Sequence, residues 1–186
     1  MLRSSLIIIV SLLVVSNINA KNPDIKILNK EAKSKVMEFA SILKPSLKKA
    51  LKTEGPASAI KICSEVAPQT AINVSKDSDW NIKRVSLKAR NHKTAIPDAW
   101  EKSVLEKFDM RQANGEPVAK MMYSEIVDGE FRFMKPQGVE KVCTICHGES
   151  IKPEVKSALA EHFPKDMAQG YQLGQVRGAF SLRKKL

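Results

Sequence analysis

The chain has 186 residues, 31 of them Lys or Arg against 20 Asp or Glu, for a formal net charge of +11 at pH 7. That length suits one domain, and 43% hydrophobic with 27% charged residues excludes a disordered, collagen-like or polytopic membrane chain. Three cysteines are too few to build a disulfide-stapled miniprotein, and no segment repeats another.

Residues 1–20 read as a secretory signal peptide: Arg3, an apolar ten-residue run from Leu6 to Val15, then Ser16 to Ala20. Ten apolar residues are about half of what a spanning helix needs, so no stable membrane span is expected after cleavage. The expectation is an exported, periplasmic-type protein whose residues 21–186 form one domain. Its basicity fits docking to an acidic redox partner. Nucleic acid is not expected, because the basic residues, such as Lys44, Lys48, Lys49 and Lys52, are not interleaved with aromatic ones.

Leu28, Ala32, Val36, Ala40, Leu43, Leu47 and Leu51 recur at helical spacing, with Pro45 placed to kink the helix. Gly55-Pro56 separates it from a second helix carrying Ala59, Ile60, Cys63 and Ala67 on one side. Period-two alternation from Ile82 to Ala89 predicts a half-buried strand, with Val85, Leu87 and Ala89 facing inward. Pro97, Asp98 and Glu101 open a helix that stops at Gly115. Asp128-Gly129 predicts a tight hairpin between the stretches 120–127 and 130–134. A short helix over 154–163 and a strand over 175–182 complete the order α-α-β-α-β-β-α-β, which predicts an α+β fold with an antiparallel sheet.

Cys143-Thr144-Ile145-Cys146-His147 is the attachment signature of one covalent haem c. Two thiols three positions apart on a helical turn reach the two vinyl groups, and the next residue offers an imidazole to the iron. With three Cys and three His in the chain, chance supplies this pattern roughly once per thousand such sequences. A thioredoxin-like dithiol, a simple disulfide, or zinc held by Cys63, Cys143, Cys146 and His147 explain the spacing less well.

The second axial ligand decides the chemistry. Met167, Met110, Met121, Met122, Met134, His92, His162 and the third cysteine, Cys63, are the candidates; Cys63 can equally be a small buried hydrophobe. As a thiolate it would favour ferric iron. A preference of about four orders of magnitude lowers the potential by roughly 240 mV for one electron.

The chain resembles an exported single-haem c-type family, long called a domain of unknown function. The resemblance rests on Gly55-Pro56, Ala59-Ile60, Cys63 and Ala67-Pro68; on Arg84, Ser86-Leu87-Lys88, Arg90-Asn91, Pro97-Asp98 and Trp100-Glu101; on Phe133-Met134-Lys135-Pro136 leading to Cys143, Cys146, His147 and Gly148; and on Gly174 with Gly178-Ala179-Phe180-Ser181. It implies a PAS-like sheet with N-terminal helices packed against it, and Cys63 as the ligand opposite His147. Arg84 and Arg90 become candidates to neutralise the haem propionates. His92 stands where the family usually has proline.

The expected function is therefore that of a redox or electron-transfer cytochrome rather than an enzyme, since no distal acid–base pair is evident. The alternative is a redox or diatomic-gas sensor, in which CO or NO displaces Cys63 and moves the second helix.

Overall fold

The computed structural model describes residues 24–76 and 78–186. The signal-peptide reading, on residues 1–20, lies outside the described residues. Helix α1 (Ile25–Thr53) is opened by Asp24, whose carboxylate accepts hydrogen bonds from the backbone N–H of Lys26 and Ile27 at 2.8 and 3.3 Å. It stays helical through Pro45 and buries Leu28, Ala32, Phe39, Leu43 and Ala50 along one stripe. Gly55, at φ 89°, takes the left-handed conformation that lets the chain turn, and Pro56 starts α2 (Pro56–Lys61).

The second predicted helix is not uniform. A π-helical turn, Ile62–Val66, joins α2 to α3 (Ala67–Lys76), and Cys63 lies on that turn. The predicted grouping holds for Ala59, Ile60 and Ala67, which are buried, while Cys63 is half-buried.

Four antiparallel strands follow in the spatial order β1-β4-β3-β2: β1 (Asn81–Val85), β2 (Tyr123–Val127), β3 (Glu130–Gly138) and β4 (Val176–Lys185). The Asp128-Gly129 hairpin forms as expected, both residues having positive φ, and sets Val127 opposite Glu130. β4 lies in the middle, pairing Val85 with Ala179 on one side and Met134 with Ser181 on the other.

Both faces of the sheet are covered. Ile82, Phe131, Phe133, Phe180 and Leu182 form one core with Leu28, Phe39, Leu43, Ala67 and Trp80 from α1, α3 and the β1 approach. Each fully buried Phe there contributes roughly 1.5–3 kcal/mol of hydrophobic stabilisation. On the opposite face Val85, Met134 and Ala179 pack against Val104, Leu105 and Phe108 of α4 (Ala99–Ala113). The helix start read from Pro97, Asp98 and Glu101 forms with a capping box: the Asp98 and Glu101 side chains each accept a hydrogen bond from the other's backbone N–H at 2.8 Å. The architecture is α+β, consistent with a PAS-like arrangement, with α4 covering the sheet face that the N-terminal helices leave open.

Strand β1 ends four residues earlier than the alternation predicts. Ser86 is buried, while Leu87 is 36% exposed. The chain leaves the sheet because the Ser86 N–H donates to Ala95 O at 3.1 Å and its hydroxyl accepts from Lys88 N–H at 3.2 Å, closing a tight side-chain turn. Gly178 permits the exit, since a Cβ there would lie 2.4 Å from the Val85 carbonyl oxygen.

A third cluster sits beside the sheet rather than on it. Ile60 from α2 packs against Ile151 and against Val155 and Leu159 of α6 (Pro153–His162), with Phe163 closing the group. No helix among the described residues is long and apolar enough to cross a membrane.

Candidate functional site

The motif lies on a 3₁₀ turn, Lys141–Cys143, running into α5 (Thr144–His147). The turn is fixed locally: Thr144 Oγ1 donates to Lys141 O at 2.8 Å, and Gly148 packs so closely that a Cβ would lie 2.6 Å from Thr144 O. The segment 166–171 then straps the motif from outside. Tyr171 N–H donates to His147 O at 2.9 Å and Gly170 N–H to Gly148 O at 3.0 Å.

Cys63 and Cys146 both pack on the edge of the apolar cluster formed by Ile60, Ile151, Val155, Leu159 and Phe163. The fold thus brings the lone thiol of the π-helical turn, 84 positions upstream of the motif histidine, into contact with the motif's own surroundings. Burial raises the Cys146 thiol above its ordinary value; Arg90 opposes this, and the nearby Cys63 and Cys143 add to it. Cys143 leans instead on Val139, Ala168 and Tyr171.

The imidazole of His147 is half-buried. Its Nδ1 lies 2.8 Å from Ala168 O. A carbonyl only accepts, so Nδ1 carries the proton and Nε2 keeps its lone pair. Burial, then the charges of Arg177 and Arg90, push the ring's pKa down to about 2, so the imidazole is neutral. Arg177 Nε sits 3.0 Å from Nδ1 and 3.5 Å from Nε2. With the Nδ1 proton committed to Ala168, that guanidinium lies across the ring rather than donating to Nδ1. Tyr171 meets the ring edge-on with centroids 6.4 Å apart.

Three arginines converge here. Arg90 Nε donates to Asp166 Oδ1 at 3.1 Å; the two side chains are only 7% and 5% exposed. Arg90 Nη2 also donates to Ala168 O at 3.2 Å and to Cys146 O, and Nη1 lies 3.4 Å from His147 Nε2. Arg177 Nη1 donates to Ser86 Oγ at 3.0 Å. Burial lowers its pKa to about 10; Arg90 and Arg84 push the same way, against Tyr171 and Asp166. Arg84 lies over the Phe39 ring at 5.6 Å; burial lowers its pKa, and only the neighbouring Cys63 charge opposes that. Among the described residues Arg84 has no hydrogen-bond or ion-pair partner. Among the described residues only Arg90 of these three is ion-paired, with Asp166, so Arg84 and Arg177 carry uncompensated positive charge, which fits an anionic ligand such as a porphyrin with two propionates.

The remaining ligand candidates are dispersed. Met121 and Met134 are buried under α4, Met122 packs against the core below α1, and Met110 and Met167 are 60% and 53% exposed. His162 ends α6, and His92 is half-buried in the loop after Arg90, its Nε2 buried without a hydrogen-bond partner among the described residues. Among the described residues no group of three or more His, Cys, Asp or Glu side chains is arranged to hold a bare metal ion.

The sequence reading placed Arg84 and Arg90 here, but missed Asp166, Ala168, Tyr171 and Arg177. Asp166 and Ala168 act from an irregular loop, and Ala168 through its backbone, which no side-chain pattern reveals. Arg177 is the second residue of β4, directly before the Gly178-Ala179-Phe180-Ser181 block, where a strand pattern gives a charged residue no particular role.

The Tll0287-like family model matches residues 15–184. The chain belongs to the Tll0287-like family. The solved structure titled as the cyanobacterial heme-protein Tll0287 superposes on it with a TM-score of 0.68 at 20% sequence identity, covering 88% of this chain and 97% of that one. At that identity the likeness to Tll0287 establishes the fold of this family member, including the sheet and the helices around it. No curated protein sequence matches the chain.

Proposed function

We propose that the chain is an exported monohaem c-type cytochrome that transfers single electrons, with its iron held between His147 and Cys63. The observation that carries this reading is the packing of Cys63 and Cys146 on one apolar cluster beside a neutral His147 whose Nδ1 proton is committed to Ala168. Membership of the Tll0287-like family and the fold shared with a heme protein support it.

Cys143 and Cys146 would each add a thiol S–H across one vinyl double bond. A thioether forms and the proton passes to the other vinyl carbon, so no oxidant is consumed. His147 offers Nε2, the nitrogen freed by the Ala168 bond. Cys63 would offer a sulfur from the π-helical turn. Arg84 and Arg177 would supply the positive charge that two buried propionates require, while Arg90, the other expected partner, is already ion-paired to Asp166. Bound haem supplies a one-electron couple at iron. His147 and Cys63 would hold the iron, and the net basicity of the chain would steer the protein to an acidic redox partner.

The π-helical turn under Cys63 favours one second reading. Such turns interrupt the regular ladder and often mark functional segments; release of the Cys63 sulfur on reduction would let CO or NO bind and move α2 and α3, making the protein a gas or redox sensor. The ligation itself is tested by comparing ferric absorption and electron paramagnetic resonance spectra of the wild type and Cys63→Ser. Loss of a low-spin thiolate signature in the variant is expected; identical spectra remove Cys63 from the iron.

A further inference from the structure

The motif explains why His147 is present but not why a buried arginine–aspartate pair stands behind it. Asp166 uses Oδ1 twice, accepting from Arg90 Nε at 3.1 Å and from Ala168 N–H at 2.8 Å, while Oδ2 accepts from Gln169 Nε2 at 3.1 Å. It therefore holds the guanidinium and the Ala168 peptide in one arrangement. The carbonyl of that residue then accepts from two donors, His147 Nδ1–H at 2.8 Å and Arg90 Nη2–H at 3.2 Å. The segment is held on its other side by Met167 N–H, which donates to Ala89 O at 3.1 Å, so Arg90 and the loop move together.

Resting on the haem reading above, we infer that Arg90 and Asp166 are an oppositely signed pair of positioning residues that set the donor strength of His147, and with it the reduction potential, through the shared Ala168 carbonyl. A carbonyl already polarised by a cation draws less on the imidazole N–H, so the imidazole acquires less anionic character and gives less electron density through Nε2. Arg90 thus disfavours the ferric state. Asp166 opposes it by compensating the guanidinium charge inside a site from which water is largely excluded.

The two charges therefore make predictions of opposite sign. Arg90→Gln removes the cation and lowers the potential; Asp166→Asn leaves the cation uncompensated and raises it. Each is expected to change the ferric-to-ferrous ratio at fixed potential by tenfold or more, which is about 59 mV for one electron. The double variant returns towards the wild-type value, and Arg90→Lys, which keeps the charge, stays close to it. A merely structural role for the pair would move both single variants in the same direction.

The experiment is a potentiometric titration of the full-length holoprotein, made in cells competent in cytochrome maturation, for the wild type and these four variants. Shifts of the same sign, or no shift in either single variant, overturn the inference. Should the variants fail to fold, the wild type decides alone: in the ferrous protein the His147 Nδ1 proton is expected to exchange slowly with solvent and to show a nuclear Overhauser contact to the Ala168–Gln169 segment, and a freely exchanging proton overturns it. A wild type that carries no haem overturns the functional reading and this inference together. A haem-carrying wild type whose potential ignores both charges overturns this inference alone.

Discussion

The imidazole Nδ1 of His147 donates to the backbone carbonyl of Ala168, 21 residues further along the chain, across 2.8 Å. This bond fixes the tautomer of the ring and hence the nitrogen it offers to a metal. It also explains why the loop 166–171 folds back over the motif instead of following α6 into solvent.

Glu101 is the most buried charge among the described residues, with no exposed side-chain surface. It accepts from Lys83 Nζ at 2.9 Å, Ser181 Oγ at 2.7 Å and Asp98 N–H at 2.8 Å, with Arg132 3.6 Å away. Glu101→Ala strands the Lys83 ammonium, leaves Arg132 with Asp98 alone, and is expected to cost about 3–5 kcal/mol. Chemical denaturation of the two proteins measures this.

Gly178→Ala places a Cβ 2.4 Å from the Val85 carbonyl oxygen, a backbone atom that cannot turn aside. The variant is expected to lose roughly 2–4 kcal/mol, read as a fall of several degrees in Tm. Because Arg177 precedes it, the melt should be accompanied by weakened protection of the Ser86–Arg177 contact in hydrogen exchange.

For Asp98, burial alone would raise the carboxyl pKa, but the Glu101 N–H, the Arg132 guanidinium and Lys83 outweigh it and hold the group below its ordinary value. Its unfolded form therefore binds a proton first. The stability it contributes is complete above about pH 4 and is lost as the pH falls further. Asp98→Asn keeps the helix cap but should flatten this part of the stability–pH curve, measured by denaturation between pH 2 and pH 6.

Carbon monoxide separates electron carrier from sensor. With Cys63 retained on reduction, the ferrous absorption spectrum should be unchanged by stoichiometric CO. Rapid and complete formation of a CO complex would instead support sensing through the π-helical turn.

Much of this arrangement was legible in the residues. Capping residues, the Asp128-Gly129 hairpin and the 3.6- and 2-residue periods fixed the order of elements, because each is a local preference. Leu87 was misread because period-two alternation does not record where a strand leaves its sheet; the exit is set by Ser86 hydrogen bonds and the close approach of Gly178, which is distant in sequence. The π-helical turn at Cys63 was invisible for a similar reason, as its composition is that of an ordinary helix. At the site, the spacing of Cys143, Cys146 and His147 announced itself, whereas the roles of Asp166, Ala168 and Arg177 exist only through tertiary contact.

The central claim is most directly tested by the mass and colour of the denatured, acid-acetone-extracted protein after expression in cells competent in cytochrome maturation. The account predicts a coloured polypeptide heavier by one haem, with the added mass on the peptide containing Cys143 and Cys146. A colourless polypeptide of unmodified mass would contradict it.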